Sequence, residues 1–429
     1  MMREIINKIA FLSLFLDNLY IPLNLGFDFR VNYIFHFIYI LYYFLTFKKI
    51  KIHLKGLFLF FFIFFLFSLV PLIKGISVIG FFKQITLISF NLLFCLVLIN
   101  AYNYDLRKIF KDYLSIVTCI CIIAIIQYIS LKIGFIYGAD YSFLGFNLGN
   151  FNALNQVSVQ AWFEEPSFLV YSITPAVFIS ISRLFNLNVK ISKTKAVLIV
   201  FSLLLTGSSI GFLGLLYSIF IISANKYSII QKPLFLISIS IIVPISSILI
   251  YQIPKVKTRV NDTYYLFNKK NISRDDINKV NLSTYALYSN YRISIKTFSN
   301  NWFLGTGIGT YESNYNKYIN EVIPKSEIRD NYQLNKKDAN SLILRLLSET
   351  GIVGIFIVLF FLWTYKVSYP GNNSNILFLW SLSNGIFVLI LLRVLRQGHY
   401  TSLGFVMFLF LFILISKEIQ NNERIKKII

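Results

Sequence analysis

The sequence predicts an all-α protein: a polytopic transmembrane helical bundle of about 12 spans with a large, partly helical outer loop. Three observations carry this. Of 429 residues, 56% are hydrophobic and only 14% charged, whereas a soluble domain carries about 25% charged residues. Apolar runs recur along the chain at lengths close to the roughly 20 residues that cross a bilayer. Lys and Arg collect in short segments between alternate runs. Length alone would allow about two or three soluble domains, but a soluble fold must show water a polar surface and has no use for this much apolar side chain.

The expected spans are 9–25, 31–47, 56–73, 82–101, 113–133, 167–184, 195–207, 209–224, 234–252, 350–366, 375–392 and 401–416. Asp17 and Asn18 interrupt the first. The seventh and eighth are short and nearly continuous through Gly207-Ser208-Ser209, and read as a tight helical hairpin or one broken unit. Basic residues define a side. Arg3 and Lys8 come first, then Lys48, Lys49, Lys51 and Lys55, then Arg107, Lys108 and Lys111. Lys190, Lys193 and Lys195 follow, then Lys226 and Lys232, and the tail adds Lys417, Arg424, Lys426 and Lys427. These segments alternate as they should if all are cytoplasmic, and an even number of spans then puts both termini inside. The first apolar stretch lacks a small-residue cleavage site and reads as a retained helix.

Three parts follow. Residues 1–252 form an N-terminal transmembrane region of about nine spans with an outer loop at 134–166. Residues 253–349 form one large outer loop, and 350–429 form a C-terminal region of about three spans. The large loop is basic although it lies outside, which long loops are free to be. Its Tyr content, Trp302 and the helix-like stretch 282–300 argue for a folded element. The net charge of +22 sits mostly where membrane topology puts it, so nucleic acid is not an expected partner. Cys95, Cys119 and Cys121 lie in apolar runs as small core or lipid-facing side chains. His36, His53 and His399 have no ligand spacing, so no metal is expected, and with no Walker motif in the chain no cofactor is expected either.

Five segments could carry chemistry. Trp162-Phe163-Glu164-Glu165-Pro166-Ser167 begins the sixth span: Pro166 suits a first helical turn, and the helix dipole favours the Glu165 carboxylate. A capped helix start would explain it, as would a carboxylate held at the membrane surface for a sugar hydroxyl. Small residues through Leu205-Thr206-Gly207-Ser208 permit close helix packing. In the large loop, Arg292 precedes Leu304-Gly305-Thr306-Gly307-Ile308-Gly309. The run lacks the strand–turn–helix setting of a nucleotide loop, but glycine-rich backbone can cradle an anion. Arg292 itself suits bidentate phosphate contact. Asp338-Ala339-Asn340-Ser341 leads into Arg345 and Leu347-Ser348-Glu349-Thr350-Gly351, with Asn340 or Ser341 as the cap. Arg393, Arg396, His399 and Tyr400 occupy a short outer loop, where two arginines run against the charge bias.

Four of these segments, in this order, together with a dozen spans and one large late outer loop, resemble the O-antigen polymerase (Wzy) and O-antigen ligase superfamily. The resemblance covers most of the chain from about residue 140 onward. It implies an integral-membrane glycosyltransferase of the bacterial inner membrane that uses a polyprenyl-diphosphate-linked oligosaccharide donor at the periplasmic face, without metal or nucleotide. A polymerase passes the growing glycan to the next lipid-linked repeat; a ligase passes it to lipid A core. Donor and acceptor lipids, membrane lipid, a chain-length regulator and a flippase are the implied partners. Glu165 and Arg292 are then the catalytic candidates, and Arg393, Arg396, Arg345, Glu349, Asn340, His399 and Tyr400 the substrate-binding ones. The chain departs from the pattern twice. No Arg lies between Lys132 and Arg183, and Gln156 and Gln160 are the polar residues nearby. Ala339 stands before Asn340 where ligases commonly have His, which favours polymerase and leaves Glu165, Asp338 and Glu349 as candidate bases. A flippase would carry more charge within its spans and no outer loop of this size.

Overall fold

The computed structural model describes residues 2–21, 29–47, 55–73, 78–149, 151, 158–226, 251–252, 254–269, 271–371 and 374–428. The expected span 234–252 lies outside them apart from its last two residues, as do residues 48–51, Lys232 and Gln156. The β structure among the described residues is a two-residue ladder, Tyr20–Ile21 with Phe29–Arg30, and one bridge between Leu19 and Phe146. Among the described residues, seven helices are long and apolar enough to cross a membrane: Val78–Ala101, Leu106–Ile133, Pro166–Leu184, Ser209–Lys226, Leu342–Tyr365, Ile376–Arg396 and Ser402–Asn421. Val31–Thr46 and Phe62–Ile73 are shorter apolar helices.

The helix Pro166–Leu184 is the hub, with every residue from Leu169 to Ser182 buried. A helix apolar on all sides belongs in the middle of a bundle. Ile376–Arg396 packs on it closely because Gly385 faces Pro175, where a Cβ would come within 2.8 Å of backbone. Pro175 lacks an N–H and disturbs the helical ladder. The Tyr113 hydroxyl repairs it, donating to Ser172 O at 3.0 Å and accepting from Ala176 N at 3.3 Å.

The short seventh and eighth spans resolve as a hairpin. Lys193–Leu205 and Ser209–Lys226 are separate helices, broken at Gly207 with φ of 56°. Gly211 lies against Val170 near the start of the hub, while Lys226 at the far end donates to Phe185 O beyond the hub's last turn. The two arms therefore run in opposite directions along the same helix.

The first span departs from expectation. Its helix stops after Met2–Ser13, 12 residues or about 18 Å at 1.5 Å per residue. Beyond it the polar side chains of Asp17 and Asn18 are buried with partners of their own. Asp17 accepts from Asn32 Nδ2 and Leu403 N, and Arg30 lies 3.6 Å away. Asn18 donates to the carbonyls of Asn147 and Trp162. Short polar side chains that satisfy distant backbone compete with helix continuation.

Glu4 pairs with Lys108 at 2.6 Å and Glu418 feels the charge of Arg107, so the start of the first helix and the last long helix meet the 105–108 turn at one end of the bundle. The large polar segment gathers at the other. It is helical: Pro254–Asn268, Arg274–Lys279, Leu282–Asn300, Tyr311–Val322 and Glu327–Asn331. Ser273 and Asp276 form a capping box, and Asn281 caps the next helix through Thr284 N. Leu266, Ile277, Val280, Tyr285, Tyr288 and Ile323 make a small apolar core of its own.

The spanning helix Leu342–Tyr365 is broken at Gly351, with φ 61° and ψ −156°, a conformation open essentially to glycine. A Cβ there would also sit 2.5 Å from Phe303 O. Gly134 likewise has positive φ but open space around it. Gly351→Ala is therefore expected to cost about 1–3 kcal/mol of backbone strain plus the displaced loop, and Gly134→Ala only the lesser cap penalty. Thermal unfolding of the detergent-solubilised variants checks this: equal melting temperatures would remove the close-approach argument.

Candidate functional site

The break at Gly351 organises the end of the bundle where the large polar segment gathers. It frees backbone groups of the surrounding turns, and the glycine run of the outer segment takes them up. Thr306 N donates to Ser348 O at 3.1 Å and Gly307 N to Glu349 O at 2.7 Å; in return Ile352 N donates to Trp302 O at 2.9 Å and Val353 N to Phe303 O at 3.3 Å. Gly305 rests against the Glu349–Thr350 peptide, Gly307 against Pro71 and Gly309 against Gly80. The run has room only for glycine because it is pressed between helices. The amides of Thr306 and Gly307 are spent on helix carbonyls, so the anion cradle allowed by the sequence is instead a clasp.

Inside the clasp lies a buried polar cluster. Glu349 is fully buried and Arg345 3% exposed, one helical turn apart, with Nε to Oε1 at 3.1 Å. Arg345 also donates to Gly398 O and Gln84 Oε1, each at 3.0 Å. Glu349 accepts in addition from Tyr311 N at 3.1 Å and from the Tyr400 hydroxyl at 2.8 Å. The Arg345 guanidinium lies 4.3 Å from the Tyr400 ring centroid. Burial, then the Glu349 charge, holds the Tyr400 phenol well above its ordinary pKa, so it remains a donor. Charges this deep are stable only when every donor and lone pair is used, and here four segments of the chain contribute.

Beside this cluster, Asp338 and His399 face each other with Nε2 and Oδ2 3.6 Å apart. Ser341, not Asn340, is the cap of the following helix. Ala339 and Asn340 instead hold consecutive positive φ values of 62° and 59°, an unusual pair for non-glycine residues. The bend directs Asp338 back toward the 397–400 turn, and Gly398 has no Cβ because Asp338 O would lie 1.5 Å from it.

The remaining candidates divide by what their charges already do. Arg393 is completely buried, donating to Ser402 O, Ser402 Oγ and His399 O within 2.9 Å; it fixes the outer turn. Glu165 is exposed at the start of the hub helix, as its position before Pro166 implied, and accepts from Ser167 Oγ at 3.0 Å. Arg396 is partly exposed. Arg259, which the sequence gave no reason to single out, lies close enough for Arg396 and Glu165 to act on it; desolvation first, then the Arg396 charge, holds its pKa below the arginine value. Arg292 is exposed on Leu282–Asn300 and donates to the Tyr288 hydroxyl at 3.0 Å; the Glu349 cluster is built without it. Asn340 is buried and keeps its amide close to the Asp338 carboxylate, donating from N to Oδ1 at 3.4 Å.

Directly under the polar cluster is an apolar cavity of about 120 Å³, walled by Phe64, Phe67, Leu346, Ile357, Phe361 and Leu409 among others, with Tyr400 at its polar end. One side chain thus lines the cavity with its ring and holds Glu349 with its hydroxyl.

Replacing Glu349 by Ala would strand Arg345, Tyr311 N and Tyr400 together. Losing one partner of a buried pair costs about 3–5 kcal/mol. Removing both charges, with Arg345→Met and Glu349→Leu, is expected to cost markedly less than the two single changes added. Melting temperatures of the four proteins test the coupling; additive losses would show that the pair is not an energetic unit.

Residues 195–359 match the family model described as O-antigen ligase (Wzy_C). The match runs from the hairpin through the glycine clasp to the broken helix. No curated protein matches the chain.

Proposed function

We propose that this chain, a member of the O-antigen polymerase (Wzy) and ligase superfamily, polymerises lipid-linked oligosaccharide repeats at the periplasmic face of the bacterial inner membrane. The growing glycan passes from polyprenyl diphosphate to the next lipid-linked repeat. Ligation to lipid A core is the second reading. Ala339, where ligases commonly carry His before Asn340, favours polymerisation.

The observation that carries this reading is the stacking of an apolar cavity beneath a polar cluster, joined through Tyr400. A substrate with an apolar tail and an anionic, sugar-bearing head needs that succession in that order. A cavity of this size has room for about one five-carbon unit, so the isoprene unit next to the diphosphate enters it and the rest of the tail stays outside. Arg396 and Arg259, like charges held near each other at the rim, attract the diphosphate, and the exposed guanidinium of Arg292 is a further contact. Exposed rings of the outer segment, Trp302 and Tyr332 among them, suit stacking on sugars.

The chemistry follows from the leaving group. The acceptor hydroxyl oxygen attacks the anomeric carbon of the donor sugar, the bond from that carbon to the phosphate oxygen breaks, and the diphosphate departs with the electron pair. Charge then develops on phosphate, where fixed cations lower the barrier. Glu165, at the same rim, orients the acceptor by accepting from its hydroxyls. A chain-length regulator and a flippase are the partners such a polymerase works beside, and both termini lie in the cytoplasm.

Deleting the gene is expected to leave surface glycan with a single repeat on each lipid core. Complete loss of glycan from the core would establish the ligase reading, and repeats confined to the cytoplasmic leaflet would indicate a flippase. In the complemented strain, Arg396→Ala and Arg259→Ala are each expected to reduce polymerisation about 10²-fold, the scale of a lost charge-stabilising donor. Arg292→Ala is expected to abolish it at unchanged protein level. Native chain lengths for any of the three would remove that residue from the diphosphate site.

A further inference from the structure

We propose that His399 is the general base of this transferase, held for that task by Asp338 as a positioning residue. The proposal rests on the transfer reading above and names the group that takes the acceptor's proton.

The pair is built from two distant parts of the chain, and each half is fixed independently. On one side, Asp338 Oδ1 accepts from Asn335 Nδ2 at 3.0 Å and from Asn340 N at 3.4 Å. Those contacts turn the other oxygen, Oδ2, to His399 Nε2. The main chain accepts two consecutive left-handed residues, Ala339 and Asn340, to hold this bend, and strain of that kind persists only where the surroundings enforce it. On the other side, the His399 carbonyl accepts from buried Arg393, its N–H lies 3.4 Å from Gln397 Oε1, and the preceding Gly398 carbonyl accepts from buried Arg345. Two arginines thus anchor the backbone on both sides of one imidazole whose side chain remains 36% exposed.

The 3.6 Å separation is longer than a hydrogen bond, as catalytic contacts commonly are before substrate arrives. A carboxylate opposite Nε2 favours the tautomer protonated there and leaves the Nδ1 lone pair to accept a proton. The groups acting on the imidazole are Asp338, which favours its protonation, and Arg30, Arg345 and Arg393, which oppose it. Desolvation is the largest influence and opposes protonation too, taking the pKa down to about 4. The imidazole is therefore neutral and able to accept at neutral pH. In the transfer, the acceptor hydroxyl proton moves to Nδ1 as the new carbon–oxygen bond forms. Imidazolium is left facing the Asp338 carboxylate, and the diphosphate leaves with its electron pair.

The test uses full-length protein in lipid nanodiscs and, as substrate, lipid-linked glycan extracted from cells lacking the gene. Native protein must first convert this lipid; no conversion would overturn the transferase reading itself. Given conversion, His399→Ala is expected to lower kcat by about 10²–10⁴-fold, the usual contribution of a general base, with KM within about twofold. Added imidazole is expected to restore at least tenfold of that loss. Native kcat should hold from pH 8 down to about 5 and fall as His399 protonates. Asp338→Asn should lower kcat and move that acid limb to still lower pH, because it removes the charge that favours protonation. Glu165→Gln should raise KM and leave the limb in place. His399→Gln serves where the alanine variant fails to fold. Native kcat in either His399 variant, a loss that imidazole does not restore, or an acid limb unmoved by Asp338→Asn would overturn the assignment.

Discussion

A helix apolar enough to span a membrane cannot break unless the backbone groups it frees find partners in protein. Gly351 breaks such a helix, and residues 302–307 supply the partners through four backbone hydrogen bonds. Much at this end depends on this exchange. It ties the large polar segment to the bundle at a fixed place, and the last turn before the break brings Arg345 and Glu349 inside. It also leaves Glu349 with an oxygen for Tyr400 and another for Tyr311 N. Without the clasp, two ionised side chains would lie buried with incomplete partners, a state costing several kcal/mol per ion.

The parts legible in the sequence were those decided by local pattern. Long apolar runs became long helices. The stretch 282–300 became the helix Leu282–Asn300, and Pro166 with Glu165 marked the start of the hub. Those features need only periodicity, caps and proline chemistry. The interruption of the first span at Asp17 and Asn18 was legible, and its helix ends before them; their partners, Asn32, Leu403, Asn147 and Trp162, were not, because tertiary packing sets them. The glycine run showed its unusual backbone in the sequence but not its role, since an amide facing phosphate and an amide facing a helix carbonyl demand the same glycines. The Asp338–His399 pairing, 61 residues apart along the chain, had no local signal at all. Nor did Arg259, which only its neighbours single out.

The arginines show how burial sorts residues of one type into different duties. Arg393 and Arg345 are within 3% of complete burial and bonded to carbonyl, carboxylate, amide and hydroxyl oxygens of the protein. Turning either toward a substrate would strand its protein partners in a dry interior, so these two hold the frame. Arg396 and Arg259 are partly solvated, and their mutual repulsion is relieved, not opposed, when an anion arrives. Charge bias in the sequence marked Arg393 and Arg396 alike; solvation separates them. The same reasoning separates the carboxylates. Glu349 is locked by Arg345, Tyr311 N and Tyr400, whereas Glu165 at the rim and Asp338 beside a half-buried imidazole face groups that a reaction can change. The transfer proposed above would need a rigid floor of buried, bonded charges and a rim of partly solvated ones, and this end of the bundle is divided along that line.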